Sequence, residues 1–379
     1  MTTEPAVAVE PPIPRHIPEL DGLRGLAILL VIPHNAGHFE LAQGWMRIPA
    51  AVANAGWIGV HLFFVLSGFL ITRNLLESRG ARHYLRAFYG RRALRILPLL
   101  YLLLVGVLFV VPRLVDVPQK ITATYAYQVW IWTFLCNWVQ SSGRTVYGLS
   151  HLWSLAVEEQ FYAVWPFVVA WLDDRRFLGV CFAIVVIAIA SRSAMLEAGA
   201  LNQSIYNFTN CRMDALAIGA IAALAVRSPT AVALIRSNGT LALGAAVGML
   251  AAVAVATGGY ALTSPALIYA GYSVIAVAFA IVIALAAASV EDAPVVWLRA
   301  LLSWAPLTSV GLYSYAMYLF HEPLALGFGS KLYVLLAPAG PAAPLLFAVA
   351  IAVASYALGF ISYHLFERRV LALKRFLLP

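Results

Sequence analysis

The chain has 379 residues, of which 62% are hydrophobic and 11% charged, with a mean hydropathy of +0.85. Soluble domains carry about a quarter charged residues, so these figures exclude an ordinary water-soluble enzyme. They point to an all-α, polytopic membrane bundle, since a chain in lipid must satisfy its backbone polar groups internally. The net charge of +8 lies mostly in short breaks between apolar runs, where the positive-inside rule accounts for it, and no nucleic-acid partner is expected.

In chain order, residues 1–17 are proline-rich and lack the basic start, apolar stretch and cleavage site of a signal peptide, so they read as a disordered cytoplasmic tail. Residues 18–375 read as one membrane domain of about ten helices, placed near 19–38, 56–76, 94–112, 151–172, 177–196, 211–227, 239–256, 267–289, 304–325 and 341–363. Residues 121–140 are aromatic and long enough to cross. Counting them as a span would carry the basic tail of Arg368, Arg369, Lys374 and Arg375 outside, so they are expected as a re-entrant or surface piece, with both termini cytoplasmic. Matching halves of the kind many carriers show are not visible. Cys136, Cys181 and Cys211 lack metal-ligand or disulfide spacing and are assigned to packing, so no metal is expected.

An ionisable side chain at mid-membrane costs about 2.5–3.5 kcal/mol and calls for a function or a partner. The first helix carries Arg24 and His34. Arg24 can snorkel to headgroups, and a backbone carbonyl can satisfy His34, but both are functional candidates. In the second, "GWIGVHLFFVLSGFLIT", His61 and Ser67 are the polar exceptions, and their six-residue spacing sets them on different faces. Seven arginines then fall between residues 73 and 98, among them Arg91, Arg92 and Arg95. Such density suits a phosphate-rich ligand, with a positive-inside loop or anionic headgroups as the alternatives. "SHLWSLAVEEQFYAVWP" sets His151, Glu158 and Glu159 at the head of a helix, with Glu158, Phe161 and Tyr162 on one face. "NCRMDALAIGA" brings Arg212 and Asp214 to a helix start, either as a site or as a mutually neutralising pair. "YSYAMYLFHEPL" brings His321 and Glu322 to a helix end before Pro323.

Taken in order, "LDGLRG" with a downstream histidine, "FFVLSG" (63–68), "RRALRILP" (91–98), "WSLAVEEQFY" (153–162), "RMDALAIGA" (212–220) and "YSYAMYLFHEP" (313–323) resemble the acyltransferase family 3 membrane enzymes, over nearly the whole chain. These are bacterial O-acyltransferases that modify surface polysaccharides and small molecules. The resemblance implies acyl-CoA, most simply acetyl-CoA, as cytoplasmic donor and a hydroxyl of a carbohydrate, glycolipid or small molecule as acceptor, in the bacterial cytoplasmic (inner) membrane. It implies His34 as catalytic base, Arg24 as its functional companion, Glu158 as a further essential acid, and Arg91, Arg92 and Arg95 as binders of the CoA phosphates. Ser67, His38, His61, His151, Arg212, Asp214 and His321 are expected to support substrate or structure.

Two departures stand out. The family commonly places ten residues between the arginine and the histidine, whereas nine separate Arg24 from His34. That turns the imidazole about 80° off the shared face, and Pro33 is expected to kink or unwind the helix in compensation, with His38 in reserve. At His61 the family usually shows an aspartate. On this reading His34 takes the proton of the acceptor hydroxyl as that oxygen attacks the thioester, or carries the acyl group itself. A proton-coupled transporter and a non-catalytic scaffold are the rivals.

Overall fold

The computed structural model describes residues 16–36, 39, 44–114 and 124–377. The expected tail lies almost wholly outside them, as do His38 and residues 121–123. Helix is the only regular secondary structure among the described residues, with no strand among them. The helices are α1 (Pro18–Ala36), α2 (Arg47–Ala55), α3 (Ile58–Glu77), α4 (Tyr84–Val105), α5 (Gln128–Trp132), α6 (Cys136–Ser141), α7 (Leu152–Trp171), α8 (Asp174–Glu197), α9 (Asn202–Asn207), α10 (Met213–Ala225), α11 (Pro229–Ser237), α12 (Gly239–Ala256), α13 (Tyr272–Ala287), α14 (Ala293–Leu302), α15 (Ala305–Leu336) and α16 (Ala343–Ser362).

Six helical stretches among the described residues are long and apolar enough to cross a membrane, or eight if each of two bent pairs is one span. The pairs are α10 with α11, bent by 100°, and α14 with the first part of α15, bent by 56°. About ten spans were expected. Two of the expected ten, α1 and α7, have the length at 19 and 20 residues but fall outside the apolar set. Glu19, Asp21, Arg24 and His34 make the first too polar, and Glu158, Glu159 and Gln160 the second. Both bury much of their length against other helices. Leu23, Ala27, Ile28, Val31 and Ile32 of α1 are buried between α3 and α15, and every residue of α7 from Leu152 to Val157 is buried. Neighbouring helices therefore shield from lipid the polar groups that lipid would penalise.

Residues 124–141 form no single crossing helix: α5 and α6 are separated at Phe134, whose φ of 58° breaks the helical path. The arginine run is also not a loop along its length. Its second half is the first half of α4, because Leu, Ala and Arg are good helix formers and Pro98 is tolerated within the helix. Likewise α15 continues through Pro323 to Leu336, well past the expected end.

Close helix contacts depend on missing side chains. A Cβ on Gly25 would overlap the Leu307 carbonyl, and one on Gly311 the Asp21 carbonyl, which brings α1 and α15 backbone to backbone. Gly68 and Gly219 do the same for α3 and α10, against Leu216 and Val65 respectively. Gly68→Ala should therefore push α3 off α10 and cost at least about 1–3 kcal/mol. Thermal unfolding of the detergent-solubilised protein would show it as a lowered midpoint, and an unchanged midpoint would refute this account of the contact.

Candidate functional site

Two polar cavities lie along α1. The first, of about 180 Å³, is lined by Arg24 of α1, Ser67 of α3, Arg92 and Arg95 of α4, and Glu158 and Tyr162 of α7, with α15 closing it. Ser67 Oγ donates to Glu158 Oε1 at 2.7 Å. The Arg92 guanidinium lies 3.8 Å from the centre of the Tyr162 ring, a cation–π stack. Arg24 Nη1 bonds Asp21 Oδ1 at 2.5 Å, one turn earlier. Three guanidiniums converging on a small cavity favour an anionic ligand such as phosphate. Arg91, grouped with Arg92 and Arg95 from the sequence, does not line this cavity. On α4, Arg95 lies between the other two, about 60° from Arg92 and about 40° from Arg91, and the cavity lies on the Arg92 side. Glu159 also points away from the cavity, with Oε1 buried and without a hydrogen-bond partner.

The second cavity, of about 270 Å³, is lined by His34 and Asn35 of α1, Ser150 and His151 before α7, and Glu322 of α15, with Gln140, Gln203 and aromatic walls. Val60 and Tyr318 line both cavities, so the two adjoin there. His34 Nδ1 lies 3.2 Å from the Ala53 carbonyl of α2. The carbonyl accepts from Nδ1–H, which leaves Nε2 as the basic nitrogen. Glu322 is held by four bonds: its Oε1 accepts from the Ser150 amide (3.1 Å) and hydroxyl (2.7 Å), and its Oε2 from the His151 amide and Nδ1 (both 2.8 Å). The Ser154 and Tyr318 hydroxyls lie 2.6 Å apart beneath them, and Tyr318 also donates to the His151 carbonyl. His321 has both ring nitrogens engaged, by the Tyr318 carbonyl (2.6 Å) and by Asn35 Nδ2 (2.8 Å). It ties α1 to α15 and does not line the cavity.

Arg24 and His34 thus line different cavities. The ten-residue step advances about 15 Å along the axis and ends about 80° off the starting face, and α1 stays helical through Pro33 to Ala36 without the expected unwinding.

The remaining candidates form a separate, fully buried cluster. His61 Nδ1 accepts from Arg212 Nη2 at 2.7 Å, and His61 Nε2 donates to the Tyr272 carbonyl at 3.1 Å. The Arg212 guanidinium lies 4.6 Å from the ring centres of both Tyr206 and Tyr272. Arg212 and Asp214 do not pair with each other, as residues two apart on a helix do not face one another. Asp214 instead binds Arg192 Nη1 at 2.8 Å and the Ser273 hydroxyl at 2.6 Å, and Arg192 and Asp214 are both wholly buried. Arg192 went unremarked in the sequence, although an arginine within an apolar span meets the same criterion that singled out Arg24. Asn35, Tyr318 and the central place of Glu322 also become visible only in three dimensions.

Comparison with known proteins agrees with the motifs. The family model described as an acyltransferase domain matches residues 17–364. The Bacillus subtilis (strain 168) protein YrhL, provisionally named a peptidoglycan O-acetyltransferase, is 32% identical over 82% of this chain and 49% of its own length. The peptidoglycan O-acetyltransferase OatA of Listeria monocytogenes (EGD-e) is 28% identical over the same shares. The O-acetyltransferase OatA of Staphylococcus aureus (NCTC 8325) is 30% identical over 55% of this chain and 35% of its own. The chain therefore spans half or less of the length of these relatives. No solved structure matches it. With a model match over residues 17–364, the chain belongs to acyltransferase family 3.

Proposed function

We propose that this chain is a bacterial membrane O-acyltransferase that takes an acetyl group from cytoplasmic acetyl-CoA and transfers it to a hydroxyl of a cell-envelope carbohydrate. The observation that carries this reading is the junction at Val60 and Tyr318 of an arginine-lined cavity with a histidine-lined one. CoA phosphates rest on Arg92 and Arg95, Arg24 and the Ser67–Glu158 pair meet the donor nearer the junction, and the acceptor hydroxyl enters beside His34. The relatives' names make peptidoglycan the first acceptor to test.

Purified protein in nanodiscs, given acetyl-labelled acetyl-CoA and muramidase-released muropeptides, should yield free CoA and labelled muropeptide together. Movement of substrate across a vesicle membrane without thioester cleavage would instead favour a transporter. Charge-assisted hydrogen bonds contribute about 1.5–3 kcal/mol each. Arg92→Ala and Arg95→Ala should therefore each raise KM for acetyl-CoA by roughly 10–100-fold, while Arg91→Ala leaves it nearly unchanged. Equal effects at all three positions would show that a diffuse basic surface, and not this cavity, binds the donor.

A further inference from the structure

The histidine cavity holds two imidazoles built differently, and a two-step transfer needs two different jobs done. His34 is half-buried, and among the described residues its ring is held by backbone groups at the end of α2, the Ala53 carbonyl at 3.2 Å. His151 is 3% exposed, with Nδ1 held by a carboxylate that three further hydrogen bonds lock in place. The His151 Nδ1–H to Glu322 bond fixes the tautomer, and Nε2 is left buried without a hydrogen-bond partner beside the cavity. A buried polar nitrogen with no partner is costly in a folded interior. Here it is also the orientation that turns a histidine into a general base, since the carboxylate stabilises the imidazolium that forms when Nε2 takes a proton. The two rings that flank it, His321 and Tyr318, are already committed to other bonds.

We infer that His151, braced by Glu322, is the base that deprotonates the acceptor hydroxyl, while His34 carries the acetyl group between donor and acceptor. This rests on the acyltransferase reading above. In the first step His34 Nε2 attacks the thioester carbonyl, the C–N bond forms, the C–S bond breaks and CoA leaves as thiolate. In the second the acceptor oxygen attacks the acetyl carbon and its proton passes to His151 Nε2. The C–N bond breaks and its electron pair returns to His34. The proton on His151 then leaves to solvent, balancing the one the thiolate takes up. His34 suits the carrier role because it is the more accessible ring, on the helix that also lines the donor cavity. His151 suits the base role because Glu322 holds its Nδ1 and its Nε2, on a residue that lines the same cavity, has no hydrogen-bond partner. Glu322 is a positioning residue.

The test separates the two steps in full-length protein in nanodiscs. Acetyl-CoA without acceptor should give the wild type a burst of about one CoA per chain, and muropeptides should convert it to steady turnover. His151→Ala should keep the burst and lose muropeptide acetylation by roughly 10²- to 10⁴-fold. Hydroxylamine, which cleaves acyl-imidazoles without help from a base, should restore CoA release in this variant. Glu322→Gln preserves shape and should show the same split with a smaller loss, which keeps the inference testable if His151→Ala folds poorly. Wild-type muropeptide turnover in either variant overturns the assignment, and so does loss of the burst in a variant that elutes and melts as the wild type. A burst that survives His34→Ala instead overturns the carrier role of His34, and absence of CoA release from the wild type overturns the acyltransferase reading itself.

Discussion

His34→Ala should abolish both CoA release and acetyl transfer, with a loss on the order of 10²–10⁴-fold or more, while the protein keeps its thermal midpoint. The ring contributes little to the fold, since among the described residues it is held by backbone groups of α2, its Nδ1 lying 3.2 Å from the Ala53 carbonyl. Its Cβ abuts the space over Gly56, which an alanine also fills. An effect on rate without an effect on stability is what distinguishes a reacting group from a packing one. The measurement is CoA release by thiol titration beside unfolding in the same detergent. Retained release would remove His34 from the chemistry and leave His151 as the reacting imidazole of that cavity. A large fall in the midpoint would show that the ring holds α1 against α2.

Much of this site was legible before any coordinates, for a physical reason. In a greasy run each ionisable residue is conspicuous, and Arg24, His34, Ser67, Arg92, Arg95, Glu158 and His151 all line one or other cavity. What stayed hidden was pairing. Glu322 reaches Ser150 and His151 from about 170 residues away in the chain, and no local spacing carries that information. Proximity in sequence also misled: Arg212 and Asp214 look like a pair but belong to different partners. The helix count was blurred by the same polarity that marks the site, because α1 and α7 trade apolar character for the groups they bring to the cavities. The arginine run reads equally as loop or helix by charge. Only its continuation into α4 settles which of its guanidiniums share a face.

Asp214→Ala should be the most destabilising of the substitutions considered, at about 3–5 kcal/mol. Arg192 spends its donors on the carbonyls of Ile268 and Cys211, on Asp214 and on Ser273, so it fastens α8 to α10 and to the start of α13. Removing the carboxylate leaves the other three bonds but strands a full positive charge where neither it nor its partner is exposed to solvent. The cost of that stranded charge, more than the lost hydrogen bond, sets the magnitude. The double variant Arg192→Met with Asp214→Leu removes both charges together. It should recover much of the loss, because exchanging a buried ion pair for apolar groups of similar size is often near neutral. Unfolding midpoints of the wild type, Arg192→Met, Asp214→Leu and the double variant in one detergent complete the cycle. Single variants that lose acetyl transfer while melting as the wild type would refute a structural role and place the pair on the reaction path. A double variant no better than the worse single variant would show that the hydrogen bonds, and not the charges, hold these helices together.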